Sequence, residues 1–305
     1  MPWTAARGKV RRVKSVALVL LLALLWGGSY PLLKVAVETL PPLTVVAARA
    51  LLGGLILLAV LGPRARLLGE VAVGASLRAL VIQSAFTCVI PWVLIAWAML
   101  SLDAGLAAIL NSLSPIFIFL LTALVTRHEP VTRRKFAGVV LGLAGVVAIV
   151  GVDALAGVGT KTVAELACIA GAFSYAVAGV IGVRFAKVTP LVPAAGSTLI
   201  AAAVMVPLAL AVERPWTLSP SMASVMAVVA GAVFSTGLAM VIYFRLLATV
   251  GSIAMSSQAY LRILVGVGLG MAFLGERPTP HALVGLALVV AGVVAMTWPA
   301  RGPDS

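Results

Sequence analysis

Long apolar blocks broken by short polar stretches dominate this chain, and they constrain its fold more than any other feature. Many blocks reach the roughly 20 residues needed to cross a hydrocarbon core of about 30 Å. With 62% hydrophobic and 10% charged residues, there is too little charge to cover a water-soluble surface of this size, where about 25% is usual. Within lipid every backbone polar group must be paired internally, so only helices or a closed barrel can cross. Runs such as Val16 to Trp26 and Phe136 to Val152 show no polar alternation, whereas barrel strands of about ten residues need a polar lumen face. An all-α polytopic membrane protein is therefore expected.

Reading for apolar stretches gives ten spans, near 15–33, 43–61, 79–100, 104–126, 136–152, 163–183, 190–212, 222–243, 251–274 and 282–298. The N-terminal stretch resembles a secretory leader but has no convincing small-residue cleavage site and is read as a retained first helix. The net charge of +13 points to membrane orientation, not nucleic acid. Sixteen basic residues, among them Arg7 to Lys14, Arg64, Arg66, Arg78, Arg127, Arg133 to Lys135, Arg184, Lys187 and Arg245, fall on one side. Only Lys34, Lys161, Arg214 and Arg277 fall on the other. This places both termini in the cytoplasm of a cell membrane protein. Two cysteines, Cys88 and Cys168, and two distant histidines, His128 and His281, exclude a disulfide scaffold and a cysteine-rich metal site.

Sliding the chain by 147 positions superposes Glu129 on Glu276, Gly138 on Gly285 and Gly145 on Gly292, and lays FAGVVLGLAGVV from Phe136 over LVGLALVVAGVV from Leu283. A duplication divides the chain into a basic segment 1–14, five-helix repeats 15–152 and 163–298, and a tail 299–305. Five is odd, so the second repeat enters the membrane inverted, the architecture of alternating access around a midplane site.

The sequence resembles the drug/metabolite transporter superfamily, specifically the EamA-type transporters. The resemblance covers about residues 15–298 and rests on WGGSY at Trp26 to Tyr30, Arg49, AGLAAILNSLSPIF from Ala104 leading to Glu129, and GSIAMSSQAYLRI from Gly251 leading to GERPTPHALVGLALVVAGVV. It implies export or exchange of small organic metabolites such as amino acids. One departure is specific: the Pro usual in the ninth span, repeat partner of Pro115, is Arg262 here.

Arg49 and Arg262 are the basic residues deep within predicted spans, where a lone charge costs at least about 2.5 kcal/mol unless it faces a cavity or partner. Arg49 could snorkel to an interface, gate, or touch solute; Arg262 could face a cavity or a structural partner. Gln83, Asn111, Ser114, Gln258 and Tyr260 could bond solute or neighbouring helices. Pro115 is expected to kink its helix and expose carbonyls near Asn111. Trp26, Tyr30 and Tyr175, with Trp92, Trp97 and Phe173, could wall the path or pack. Gly138 with Gly142, and Gly266 with Gly270, suit close internal helix contact. Glu129 and Glu276 are expected near helix N-termini.

GVGTKT at Gly157 lacks the Gly-Lys-Ser/Thr adjacency of a phosphate loop, and no metalloprotease or serine-histidine pattern is recognisable. The expectation is a transporter, not an enzyme, without cofactor, partnered by a small molecule and lipid, as a monomer or weak dimer. A membrane protein that has lost transport, or a proton-coupled exporter using Glu165 or Asp103, are the alternatives.

Overall fold

The computed structural model describes residues 17–71, 74–124, 132–155, 159–256 and 258–297. Arg127, His128, Glu129, the basic N-terminal segment and the tail lie outside these. Among the described residues there is no strand. The helices are α1 (Ala17–Ala36), α2 (Pro42–Leu61), α3 (Ser76–Ala98), α4 (Ala104–Asn111), α5 (Ser114–Leu124), α6 (Arg133–Leu155), α7 (Thr160–Gly182), α8 (Leu191–Val212), α9 (Met222–Ala230), α10 (Ala239–Ser256), α11 (Gln258–Leu274) and α12 (Pro280–Thr297). Seven described helical stretches are long and apolar enough to cross a membrane, and shorter apolar helices cover Phe136–Gly145, Leu261–Leu274 and Pro280–Gly292.

Two predicted spans differ in outline. The fourth is not one helix: α4 stops at Asn111, Ser112 and Leu113 interrupt it, and α5 starts at Ser114. Pro115 lacks the N–H that would close a bond onto Asn111, which explains the break. The eighth span was expected to close at Tyr243, yet helical backbone runs on through Arg245 to Ser256. No Gly or Pro lies between Tyr243 and Val250, and one exposed arginine does not end a helix.

Helices pack in matched pairs: α2 against α8, α6 against α12, α4 against α11, α3 against α7, and α1 against α9. The α6–α12 contact runs over glycine. A Cβ on Gly292 would lie 2.5 Å from the Gly138 carbonyl oxygen, and one on Gly145 would lie 2.7 Å from that of Gly285. The glycines thus serve contact inside the chain, as small residues do between helices in lipid.

Two π-helical segments interrupt the α geometry. One, Ala85–Val89, lies within α3, and the other, Gly231–Leu238, joins α9 to α10. Shifted by the 147-position offset of the sequence repeat, the first falls inside the second. A π turn inserts one extra residue into the helix; Thr87 of the first segment lines the central cavity, and Ser235 and Thr236 of the second bond the wall residues Trp26 and Arg49.

Charged side chains tie the ends together. The Glu276 carboxylate accepts from the N–H groups of Ala104 (2.6 Å) and Gly105 (2.9 Å) at the start of α4. Glu213 accepts from the N–H groups of Leu43 (3.0 Å) and Thr44 (2.6 Å) and from the Thr44 hydroxyl (2.7 Å) at the start of α2. A carboxylate there satisfies orphan donors and opposes the helix dipole. Lys34 acts in the opposite sense, donating to the carbonyls of Met99 and Leu102, both at 2.8 Å, just past the end of α3.

Candidate functional site

A cavity of about 860 Å³, counting the part open to solvent, lies among α1, α2, α3, α5, α7, α10 and α11. Of the residues singled out from sequence, Trp26, Tyr30, Arg49, Trp92, Ser114, Pro115, Tyr175, Gln258 and Arg262 line it. Gln83 and Asn111 are fully buried but stand one layer behind: Gln83 donates from Nε2 to the hydroxyl of Thr87 at 2.7 Å, and Thr87 reaches the wall. Tyr260 belongs to α11, with its side chain outside those described. Trp97 and Phe173 are exposed on the bundle surface.

Arg49 points inward. Its Nε donates to the Thr236 hydroxyl at 2.7 Å, a terminal nitrogen reaches the Ser235 carbonyl at 3.5 Å, and its guanidinium lies 4.7 Å from the centre of the Trp92 ring. Snorkelling is therefore not its arrangement; the π segment and Trp92 hold it at the cavity. Cation–π stacking contributes about 0.5–2 kcal/mol, the upper end when water is excluded. Ser235 also accepts from Trp26 Nε1 at 3.1 Å and returns its own hydroxyl to the Leu25 carbonyl at 2.8 Å. The extra residue of the π turn is what frees that carbonyl for two donors.

Arg262 is 5% exposed. One terminal nitrogen donates to the Asn111 carbonyl at 3.2 Å, and its guanidinium lies 6.0 Å from the centre of the Tyr30 ring. The close approach of α1 and α11 brings these groups together. A Cβ on Gly27 would lie 2.6 Å from Val265 Cβ and 2.8 Å from the Arg262 carbonyl oxygen, so only glycine fits. Tyr30, four residues after Trp26, shares its helix face.

Several buried polar atoms have no hydrogen-bond partner among the described residues: Arg262 Nε, Asn111 Nδ2, Gln83 Oε1 and Gln258 Oε1. Each unpaired group costs about 1–3 kcal/mol. Of these residues, Gln258 and Arg262 line the cavity, where a polar solute or water could reach them.

Sequence reasoning missed Met240, Tyr243, Ser29 and Thr87 as wall residues. Tyr243, whose ring packs 5.4 Å from Trp26, had one available signal: a hydroxyl within an otherwise apolar run.

The fold and cavity define a polytopic helical membrane protein with an internal solute-sized site. The chain belongs to the EamA-like transporter family, whose pattern matches twice, over residues 13–151 and 162–298, and so to the drug/metabolite transporter superfamily. It is a multi-pass transporter of the cell membrane, and members of this family are transporters rather than enzymes. It is 26% identical over 278 residues to the uncharacterized inner membrane transporter YedA of Escherichia coli, covering 90% of this chain and 88% of that one. It is 27% identical over 291 residues to a probable terminal-alkyne amino-acid exporter of Streptantibioticus cattleyicolor, covering 92% of each. A solved crystal structure, 22% identical, superposes with a TM-score of 0.66 over 94% of this chain and 98% of that chain; at that identity the likeness concerns the fold alone.

Proposed function

We propose that the protein exports or exchanges a small polar or amphipathic metabolite by alternating access, with the cavity as the solute site. The ten hydrophobic segments are read as ten crossings, arranged as two inverted five-helix repeats of 15–152 and 163–298 with both termini cytoplasmic. The paired packing of α2 with α8, α4 with α11 and α6 with α12, and the π segments one repeat offset apart, support a pseudo-two-fold axis in the membrane plane. The observation that carries the reading is a cavity walled by side chains from both family-matched units, with unpartnered buried polar atoms of Gln258 and Arg262 on its wall. The amino-acid exporter among the relatives favours metabolites of that size.

The test is counterflow from a solute panel in proteoliposomes of purified protein. A solute whose exchange is lost in Arg262→Ala vesicles supports the reading, and wild-type flux in those vesicles would sink it. Reporter tags landing on opposite faces of the membrane would refute the odd-numbered inverted repeat. A proton-coupled mode has one specific candidate in Glu165, a buried carboxylate of α7. Uptake strictly dependent on a pH gradient, and lost in E165Q, would establish it.

A further inference from the structure

We infer that the solute of this cavity is a net organic anion, an amphipathic carboxylate or similar acid. Its negative group is held between Arg49 and Arg262, and its apolar body lies against Trp26, Tyr30 and Tyr243. The inference rests on the transporter reading of the cavity and narrows its substrate by charge.

The charge inventory of the wall carries the argument. Among the described residues that line the cavity, Arg49 and Arg262 are the charged ones, and no Asp or Glu stands beside them. The other described carboxylates whose side chains can be placed are committed or distant. Glu213 and Glu276 sit on helix starts, and Glu38, Glu70 and Asp103 are exposed. Glu165 is buried, but on α7 it precedes the wall residue Tyr175 by roughly 15 Å of helix and does not line the cavity.

Neither guanidinium spends all its donors. Each has five N–H bonds in a fixed fork. Arg49 uses its own on Thr236 and Ser235; Arg262 uses one nitrogen on Asn111, and its Nε is buried without a partner among the described residues. The partners of both are neutral, so the wall carries two positive charges that no lining carboxylate balances. An entering anion supplies that balance and takes the charge-assisted bonds.

A cation meets both arginines with no compensating carboxylate. A zwitterion gains at its carboxylate and loses at its ammonium. Aromatic faces could hold an ammonium through cation–π contact, but Trp92 already carries Arg49 and the Tyr30 ring lies beside Arg262, so two of those faces are already turned to a cation.

Three probes with one phenyl body separate the cases: 3-phenylpropionate, phenylalanine and 2-phenylethylamine, titrated at pH 7 into the purified full-length protein with tryptophan fluorescence and calorimetry. The anion is expected to bind at least tenfold more tightly than phenylalanine, and the amine more weakly still. R49Q and R262Q should each lose at least tenfold in anion affinity. R262K, which keeps the charge, should stay within a few fold, so a misfolding variant does not decide the result. Tighter binding of phenylalanine or of the amine overturns the inference. So does undiminished anion binding in both glutamine variants, or no anion binding up to millimolar concentration. Sulfate competing as well as 3-phenylpropionate would remove the apolar body from the assignment. Phenylalanine counterflow lost in R262A vesicles would refute the anion and leave the transporter reading intact. Anion binding without counterflow of any solute would do the reverse.

Discussion

Arg262 donates to the backbone carbonyl of Asn111 at 3.2 Å, and that carbonyl is free because the residue four positions later is Pro115. In an unbroken helix the N–H of position 115 would occupy it. Here the Ser114 hydroxyl, at 2.8 Å, and the arginine take its place. Pro115 and Arg262 are also repeat-equivalent positions, so the arginine that stands where the second repeat would carry a proline binds the gap its counterpart opens.

Replacing Arg262 with methionine is expected to abolish or redirect transport, by at least tenfold, with little loss of stability. A buried charge held by a neutral carbonyl contributes little net stability, and an apolar side chain of similar volume often serves as well. Thermal melting in detergent beside proteoliposome counterflow tests both halves. A large drop in melting temperature would make Arg262 structural.

Pro115→Ala restores an N–H aimed at the Asn111 carbonyl and so competes with Arg262. Proline in the first turn of α5 is well tolerated, so stability should change by less than about 1 kcal/mol. Transport is expected to fall several-fold, measured as initial counterflow rate. An unchanged rate would separate the helix break from the site.

Removing the carboxylate in Glu276→Ala leaves the N–H groups of Ala104 and Gly105 without that acceptor. A loss of about 1–3 kcal/mol is expected, and less in E276Q, which keeps an oxygen but loses its attraction to the helix dipole. Glu213→Ala should act likewise at α2, and because the two caps share no residue their effects should add. Melting of the singles and the double in one detergent checks this, and strong non-additivity would mean the caps are coupled.

Gly292→Ala is expected to destabilise by about 1–3 kcal/mol, because its Cβ must displace backbone of α6 rather than a flexible side chain. Gly268→Ala is the matched control: nothing lies within 4 Å of a Cβ there, so the change should stay within about 0.5 kcal/mol. Equal melting of the two variants would refute the close α6–α12 contact.

The helical blocks were legible because lipid demands long apolar runs, and Arg49 and Arg262 were legible because a charge inside such a run stands out. Their partners were not. Arg49 was as consistent with an interface as with a cavity, since its orientation depends on the π segment at Ser235 and Thr236, whose composition matches any α-helical span. The continuation of α10 past Tyr243 escaped notice because Arg245 looked like a loop charge, and the role of Glu276 was visible only as proximity to a helix start. Which start it caps depends on how the chain returns on itself. Tyr243 and Met240 read as apolar filling until the bundle turned them inward.

The caps carry one more consequence. Both carboxylates that seat on helix starts in the earlier family unit, Glu213 and Glu276, are supplied by the later one. A fragment ending at Leu155 would therefore enter the bilayer with two frayed entrances, and although Asp103 stands at the N-cap of α4 its side chain makes no capping bond there. Neither gene half is a miniature of the whole, and two separately expressed fragments should seek each other out before either could hold its shape.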